Sequence, residues 1–415
     1  MNDYLIIGGG ISGLYTAYRL NKRDPNKKII LFEKNDYFGG RVKGFSYKNL
    51  SWEEGAGRFN SNHKILIKLL KELNLKNEII KINSKTKFVP LDRNKYSDEI
   101  LKHDTYYYIN KIIALANKDK KTNLIDYTFE EYSRMRLGDE ITDYIIDSYG
   151  YNVELTVMNL VDSIRMFSID MNPNVQFYTM KGGMHIIIDE IVKYLNKCHN
   201  IKMYKNAELV DLKHPSEFLA KIYINGQKIK YVKSHNCILA IPRYGLEKID
   251  LLTSNHTINR LIKSVICKPL CRIYSIFRKS WFSDIGKTTT NSKIRYIIPI
   301  DNKNGLIMSS YTDGKYADRI NKYYLKYGYD KLNNMLVKEL NKVFPDREIE
   351  KPEFTNISYW ECGAGYWRKG VNSKLISDRM LHPIENMNLF IVGENYSLSQ
   401  AWIEGGLQTV DKLIN

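Results

Sequence analysis

Tyr4-Leu5-Ile6-Ile7-Gly8-Gly9-Gly10-Ile11-Ser12-Gly13 decides the fold of this chain. Tyr4–Ile7 is a short apolar run that reads as a buried parallel strand. Residues 14–20 then take helical spacing, and the apolar run 28–32 ends at Glu33. The order is strand, glycine turn, helix, strand. Each glycine of Gly8-x-Gly10-x-x-Gly13 has a separate task. Gly8 permits the tight turn out of the strand, Gly10 lets backbone approach a pyrophosphate, and Gly13 lets the helix pack closely on the strand. The first helical residues, Ile11 and Ser12, offer free N–H groups and a partial positive charge to phosphate. Glu33 lies 20 residues past Gly13, where an acid accepts hydrogen bonds from a ribose 2′-hydroxyl and repels a 2′-phosphate. Lys34 adjoins it and completes the expected nucleotide contacts. The pattern predicts a dinucleotide-binding βαβ unit.

Composition sets the frame around that unit. The chain has 415 residues, 43% of them hydrophobic and 26% charged, enough for two or three globular domains. Lys and Arg number 63 against 46 Asp and Glu, a net charge of +17. The cations are scattered rather than blocked, which reads as a lysine-rich surface. Nucleic acid is a partner only through that basic surface. Five cysteines, Cys198, Cys237, Cys267, Cys271 and Cys362, show neither a disulfide framework nor metal-ligand spacing. This predicts no disulfide, no metal site, and a cytoplasmic or other reducing compartment. No signal peptide precedes the first strand, and no apolar run is long enough to span a membrane.

Further along, residues 87–180 read as mostly helical, and 186–195 as another helix. Short strands are expected at 201–204, 207–212, 220–224, 229–232 and 237–241, with two more at 271–277 and 294–300. Residues 316–343 form one or two helices. Residues 388–394 are a strand running into a glycine turn, and 403–413 close the chain as a helix.

Four further blocks carry a family resemblance. Glu33-x5-Gly39-Gly40-Arg41, Glu54-Gly55-Ala56-Gly57-Arg58-Phe59, Gly182-Gly183-Met184 and Leu389-Phe390-Ile391-Val392-Gly393-Glu394 with Ala401-Trp402-Ile403-Glu404-Gly405-Gly406 together resemble the flavin amine oxidases: monoamine, polyamine and L-amino acid oxidases, with protoporphyrinogen oxidase and phytoene desaturase as relatives. The resemblance spans the chain motif by motif and is weakest in the middle. It implies an α/β fold: a discontinuous Rossmann-like FAD-binding domain of 1–85, 178–255 and 381–415, with an inserted α+β substrate-binding domain of 86–177 and 256–380. It implies FAD contacts from Gly40, Arg41, Gly57, Arg58, Phe59, Val210, Gly393, Glu394, Trp402 and Ile403. The helix at Ile403 would aim its N–H groups at the flavin N1/O2 edge, where the reduced ring carries charge.

The resemblance also implies the chemistry: a hydride equivalent passes from the carbon bearing an amine to flavin N5, leaving an imine, and O2 reoxidises the flavin to yield peroxide. Tyr366 and Trp402 fall on the family's two aromatic positions that flank the substrate nitrogen. Gly365 stands where monoamine oxidases carry the cysteine bonded to flavin, so FAD is expected to be non-covalent. Arg272 falls on or beside the lysine that serves the oxygen half-reaction, and Lys268 is the alternative. Arg58 either grips a substrate carboxylate, as in the L-amino acid oxidases, or braces FAD. An amine or amino-acid oxidase is thus one reading. A desaturase or porphyrinogen oxidase on the same scaffold is a second, and a non-catalytic flavoprotein with a structural or interaction role is a third.

Overall fold

The computed structural model describes residues 1–414. Two compact units emerge. One takes Met1–Ile82, Asn174–Cys267 and the segment from Asn372 onward, the other Asn83–Pro173 and Lys268–Val371.

The first unit is built on a parallel sheet. Its strands run Ile201–Tyr204, Ile29–Phe32, Asn2–Ile7, Lys228–Leu239, Leu389–Ile391 in spatial order. Ile7 pairs with both Phe32 and Leu239, and Leu239 with Ile391. Three strand ends therefore lie level with the end of the first, and Gly8, Glu33 and the Val392-Gly393 turn emerge at one edge, where open α/β sheets bind ligands. Helices Ile11–Arg23, Ile186–Leu195 and Ile403–Ile414 supply Leu14, Ile187, Ile191, Leu407 and Val410 to one core with Ile6 and Leu31 of the sheet. Strands Ala207–Lys213 and Phe218–Ile224 form an antiparallel meander with the early half of Lys228–Leu239. Segments 229–232 and 237–241 are thus one strand rather than two. The polar Ser234-His235-Asn236 between them is where the strand passes from the meander to the parallel sheet.

The second unit carries a sheet in the order Phe354–Trp367, Val265–Ile276, Leu306–Asp313, Tyr296–Asp301, Thr288–Thr289, Lys87–Phe88. Helices Thr105–Lys118, Phe129–Leu137, Asp139–Tyr149 and Leu160–Ile169 accompany it. Two buried charges fasten these pieces. Arg295, wholly buried, donates to the carbonyls of Ile146 (2.5 Å) and Gly150 (3.4 Å) at the C-terminal end of Asp139–Tyr149, where a cation also meets the helix dipole. Asp313 accepts from the N–H groups of Asn152 and Val153 (2.9–3.0 Å), which open the next helical turn. Burial pushes the Asp313 carboxyl upward, against the pull of those N–H groups and of Arg295.

Strands Leu306–Asp313 and Phe354–Trp367 are absent from the sequence reading. In the first, Ser309 and Ser310 are fully buried, bonded to the Ser275 hydroxyl (2.5 Å) and the Ile294 carbonyl (3.0 Å). Satisfied hydroxyls in the interior erase the apolar signature of a central strand. Residues 314–343 are two helical segments meeting at Gly328, whose φ is +73°.

Cys198, Cys237 and Cys271 are free thiols, whereas Cys267 and Cys362 are disulfide-bonded. This corrects the expectation of a chain without disulfides, since the fold rather than sequence spacing sets sulfur proximity. The cysteines therefore give no argument for a reducing compartment. Among the described residues, no helix is long and apolar enough to cross a membrane, and no cluster could hold a metal ion.

Candidate functional site

The glycine turn of the first unit is defined by close approach. A Cβ on Gly13 would sit 1.9 Å from the Gly8 carbonyl oxygen, so only glycine lets the helix start so near the strand. Gly10 differs: the nearest atoms to a Cβ there are Gly39 O and Gly40 Cα at 4.0 Å. The chain itself leaves that space open. No side chain caps helix Ile11–Arg23, and no acid lies in its first turn. An uncapped helix N-terminus facing an open glycine cradle has the donors and the room for a pyrophosphate.

The cradle's other wall is Gly39-Gly40-Arg41. Gly39 N–H donates to the Gly9 carbonyl at 2.8 Å, which pins the second glycine turn to the first. Arg41 reaches Glu394 at 2.9 Å. Two residues expected to contact FAD are therefore an ion pair that joins segments 353 positions apart. Glu33 is buried. It accepts from Gly9 N–H at 2.7 Å and from both nitrogens of Asn35 at 2.8 Å. Its carboxylate braces the turn, and a carboxylate has lone pairs to spare for a ribose hydroxyl. Lys34 beside it is exposed. Val210 is skipped by its ladder, where the register shifts between Leu209 and Asp211. A residue left over at such an irregularity is a bulge position, and Val210 is 52% exposed.

Gly57-Arg58-Phe59 leads into the short strand Phe59–Asn60, which pairs with Phe177–Met180. Thr179 donates to the Gly57 carbonyl at 3.0 Å and fixes the loop. The Arg58 guanidinium lies 4.9 Å from the Phe177 ring centroid and 5.8 Å from that of Trp402. His63 meets Trp402 edge-on at 4.8 Å. The structure thus brings Arg58 and Trp402 together and adds Phe177 and His63, which no motif had marked. Their signal lies only in the pairing of strands, which a single sequence does not display.

Trp402 is set by its backbone. Ala401 has φ of +68°, a left-handed conformation uncommon for a residue with a Cβ. Helix Ile403–Ile414 follows at once, and its Glu404 accepts from Ile65 N–H (3.0 Å) and Leu66 N–H (2.9 Å). Glu404 so caps helix Lys64–Glu72, whose preceding residue is His63. A Cβ on Gly406 would fall 2.5 Å from Ser12 Oγ, so the first turns of the two helices that matter most lie side by side.

In the second unit, Tyr366 is buried, and its hydroxyl lies 3.5 Å from Glu154. Arg272 is buried opposite Tyr311 in the strand register. It donates to the Tyr311 hydroxyl at 3.2 Å and sits 4.4 Å from that ring centroid. Burial opposes its charge, but the phenols of Tyr311, Tyr274 and Tyr151 favour it more, and the net direction of its pKa is upward. Lys268 instead lines a groove of ≈ 220 Å³ with Asn152, Thr156, Gly314 and Lys315. The two candidates for one role therefore occupy different settings, one enclosed by aromatic rings and one in an open groove also lined by Ile146, Val153 and Val157.

The pattern of flavin containing amine oxidoreductases matches residues 11–409. Achacin of Lissachatina fulica is 21% identical over 99% of this chain and 92% of that protein. Protoporphyrinogen oxidase 2 of Arabidopsis thaliana is 26% identical over 35% of this chain and 31% of its own length. Putrescine oxidase with putrescine bound superposes with a TM-score of 0.77, at 16% identity, over 100% of this chain and 98% of that one. This chain belongs to the flavin-containing amine oxidoreductase family, an oxidoreductase family whose cofactor is FAD.

Proposed function

We propose that this chain oxidises the C–N bond of an amine or L-amino acid, with O2 as the final electron acceptor. The observation that carries the reading is the Arg58 guanidinium held over Phe177 and Trp402 (4.9 and 5.8 Å), with His63 against the Trp402 ring. Aromatic faces exclude water and favour a polarised amine, and a rigid guanidinium fork suits a carboxylate. Bound FAD would accept the hydride equivalent at N5, leaving an imine that water hydrolyses. Gly8, Gly10, Gly13, Glu33, Gly40, Arg41, Val210, Gly393 and Glu394 would hold it by backbone approach and hydrogen bonding. The N-terminal turn of Ile403–Ile414 would stabilise negative charge on its pyrimidine edge. With Gly365 where a covalent cysteine would stand, acid precipitation should release all the flavin into the supernatant.

Anaerobic mixing with a panel of amines, polyamines and L-amino acids tests the reaction. Bleaching of the flavin by any class supports amine oxidation. Bleaching only by a porphyrinogen would move the assignment to the protoporphyrinogen oxidases, which are also among the relatives. Arg58→Ala should raise KM for amino acids at least tenfold more than for simple amines, the loss of about 1.4 kcal/mol or more of binding. An equal rise for both classes would remove the carboxylate role. The role read for Tyr366 is tested by Tyr366→Ala, which should slow flavin reduction while FAD stays bound.

A further inference from the structure

The first segment of helix Gly314–Val343, which ends at Gly328, has two unlike faces. Ala317 and Ile320 are buried, and Tyr324 packs on the same core. At 3.6 residues per turn, the opposite face carries Lys315, Arg319, Lys322 and Lys326 within about 60° of one another. All four are exposed, and none joins an ion pair among the described residues. The nearby acids are occupied: Asp318 accepts from the Tyr359 hydroxyl at 2.7 Å, and Asp330 pairs with Lys351 at 3.0 Å. An ordinary solvated helix face interleaves acids with its bases. This one does not.

A row of tyrosines runs beside the cations. The rings of Tyr323 and Tyr327 lie 4.9 Å apart. Lys326 Nζ is 5.0 Å from the Tyr327 centroid and Lys315 Nζ 5.5 Å from that of Tyr316. At the N-terminal end, Lys315 and Lys268 line the ≈ 220 Å³ groove together with Asn152 and with Glu130, whose carboxylate is paired to Arg134 at 2.9 Å. Asn152 is only 4% exposed, and its Nδ2 has no hydrogen-bond partner among the described residues. A buried donor left open beside two lysines matches an anionic oxygen.

We infer that this face binds single-stranded nucleic acid through its phosphates, with bases resting on Tyr323 and Tyr327. The cations rise by about 4.5–6 Å from one to the next along about 16 Å of helix, a linear track for a flexible phosphate backbone with aromatic platforms at its side. A membrane fits less well. The apolar residues of the segment are buried in the core, leaving Leu325, 72% exposed, as the lone aliphatic side chain free to insert.

The test is fluorescence anisotropy of a labelled oligo-thymidine 20-mer with the FAD-loaded protein at increasing NaCl. Four phosphate contacts predict a log–log salt slope of about −2.8, or about 50-fold weaker binding at 200 than at 50 mM salt. Replacing Lys315, Arg319, Lys322 and Lys326 together by Gln should abolish binding while the flavin spectrum and Tm stay unchanged. A charge-matched control with Lys76, Lys197, Lys248 and Lys374 replaced by Gln should bind as the parent does. Tyr323→Leu with Tyr327→Leu should weaken binding several-fold at unchanged slope. Equal weakening by the two quadruple variants would overturn the proposal in favour of diffuse net charge. Binding to vesicles of phosphatidylcholine and phosphatidylserine that is lost with Lys315, Arg319, Lys322 and Lys326, without oligonucleotide binding, would overturn it in favour of a membrane surface.

Discussion

The two units hold their key groups by opposite means. In the first, backbone does the work: glycines at fixed spacings bring turns together, and side chains such as Glu33 and Glu404 serve by receiving backbone N–H groups. In the second, buried side chains do it. Arg295 and Asp313 close the end of one helix and the start of the next, and Arg272 is enclosed by Tyr311 and its aromatic neighbours. A backbone cradle tolerates no added carbon where its turns touch, as at Gly13, but accepts many neighbouring sequences. A side-chain framework tolerates shape changes poorly and depends on each partner being present.

The contrast can be broken at several points. The largest effect is expected from Gly13→Ala, whose Cβ has a carbonyl oxygen 1.9 Å away. It should cost about 3 kcal/mol or more and yield colourless protein. Gly10→Ala should yield colourless protein too, yet with the apoprotein's Tm unchanged, because no chain atom lies nearer than 4.0 Å. If Gly10→Ala keeps its flavin, the cradle is not where the pyrophosphate sits. Asp313→Ala should cost about 3 kcal/mol in urea unfolding by stranding the Asn152 and Val153 N–H groups and Arg295. It should leave the purified protein yellow, whereas a loss of flavin would show that the units are not independent in this respect. Glu404→Ala should cost about 1 kcal/mol as a lost helix cap, with a change in Trp402 fluorescence through His63.

The smallest effect is shared by both units. Burial, above all, raises the Tyr18 and Tyr144 phenols to about 12, assisted by Glu72 and Asp104 respectively. The folded state holds these protons more tightly than the unfolded chain, where tyrosine titrates near pH ~10. Their contribution to stability is therefore complete below that pH and is lost as pH rises toward about 12. Tm should fall across this window, and Tyr18→Phe should blunt the fall.

The same contrast explains what the sequence disclosed. The first unit was legible because a glycine that must approach a carbonyl leaves a mark at its own position, so Gly8, Gly10, Gly13 and Gly39-Gly40 announce the turn together. The second unit left few such marks. Its central strand Leu306–Asp313 buries Ser309, Ser310, Thr312 and Asp313, residues that read as loop until their partners are known. Arg58 and Trp402 were found by motif. Phe177 and His63 were not, because they reach the cluster through strand pairing and a helix cap. The disulfide-bonded Cys267 and Cys362 show the same limit, as nothing in their spacing announces them.

The ion pair of Arg41 with Glu394 spans 353 positions of sequence, and this has a consequence for how the protein is made. The parallel sheet cannot add its strand Leu389–Ile391, nor the cradle gain Glu394 and the helix from Ile403, until those residues have left the ribosome. Contacts at such separation carry a high loop-closure cost and form late. During synthesis the glycine turn waits, half-walled, while the 353 positions from Arg41 to Glu394 are made. Flavin capture is then a closing step of folding rather than a seed for it, and nascent chains that stop short of Glu394 should emerge without colour however well their first strands have formed.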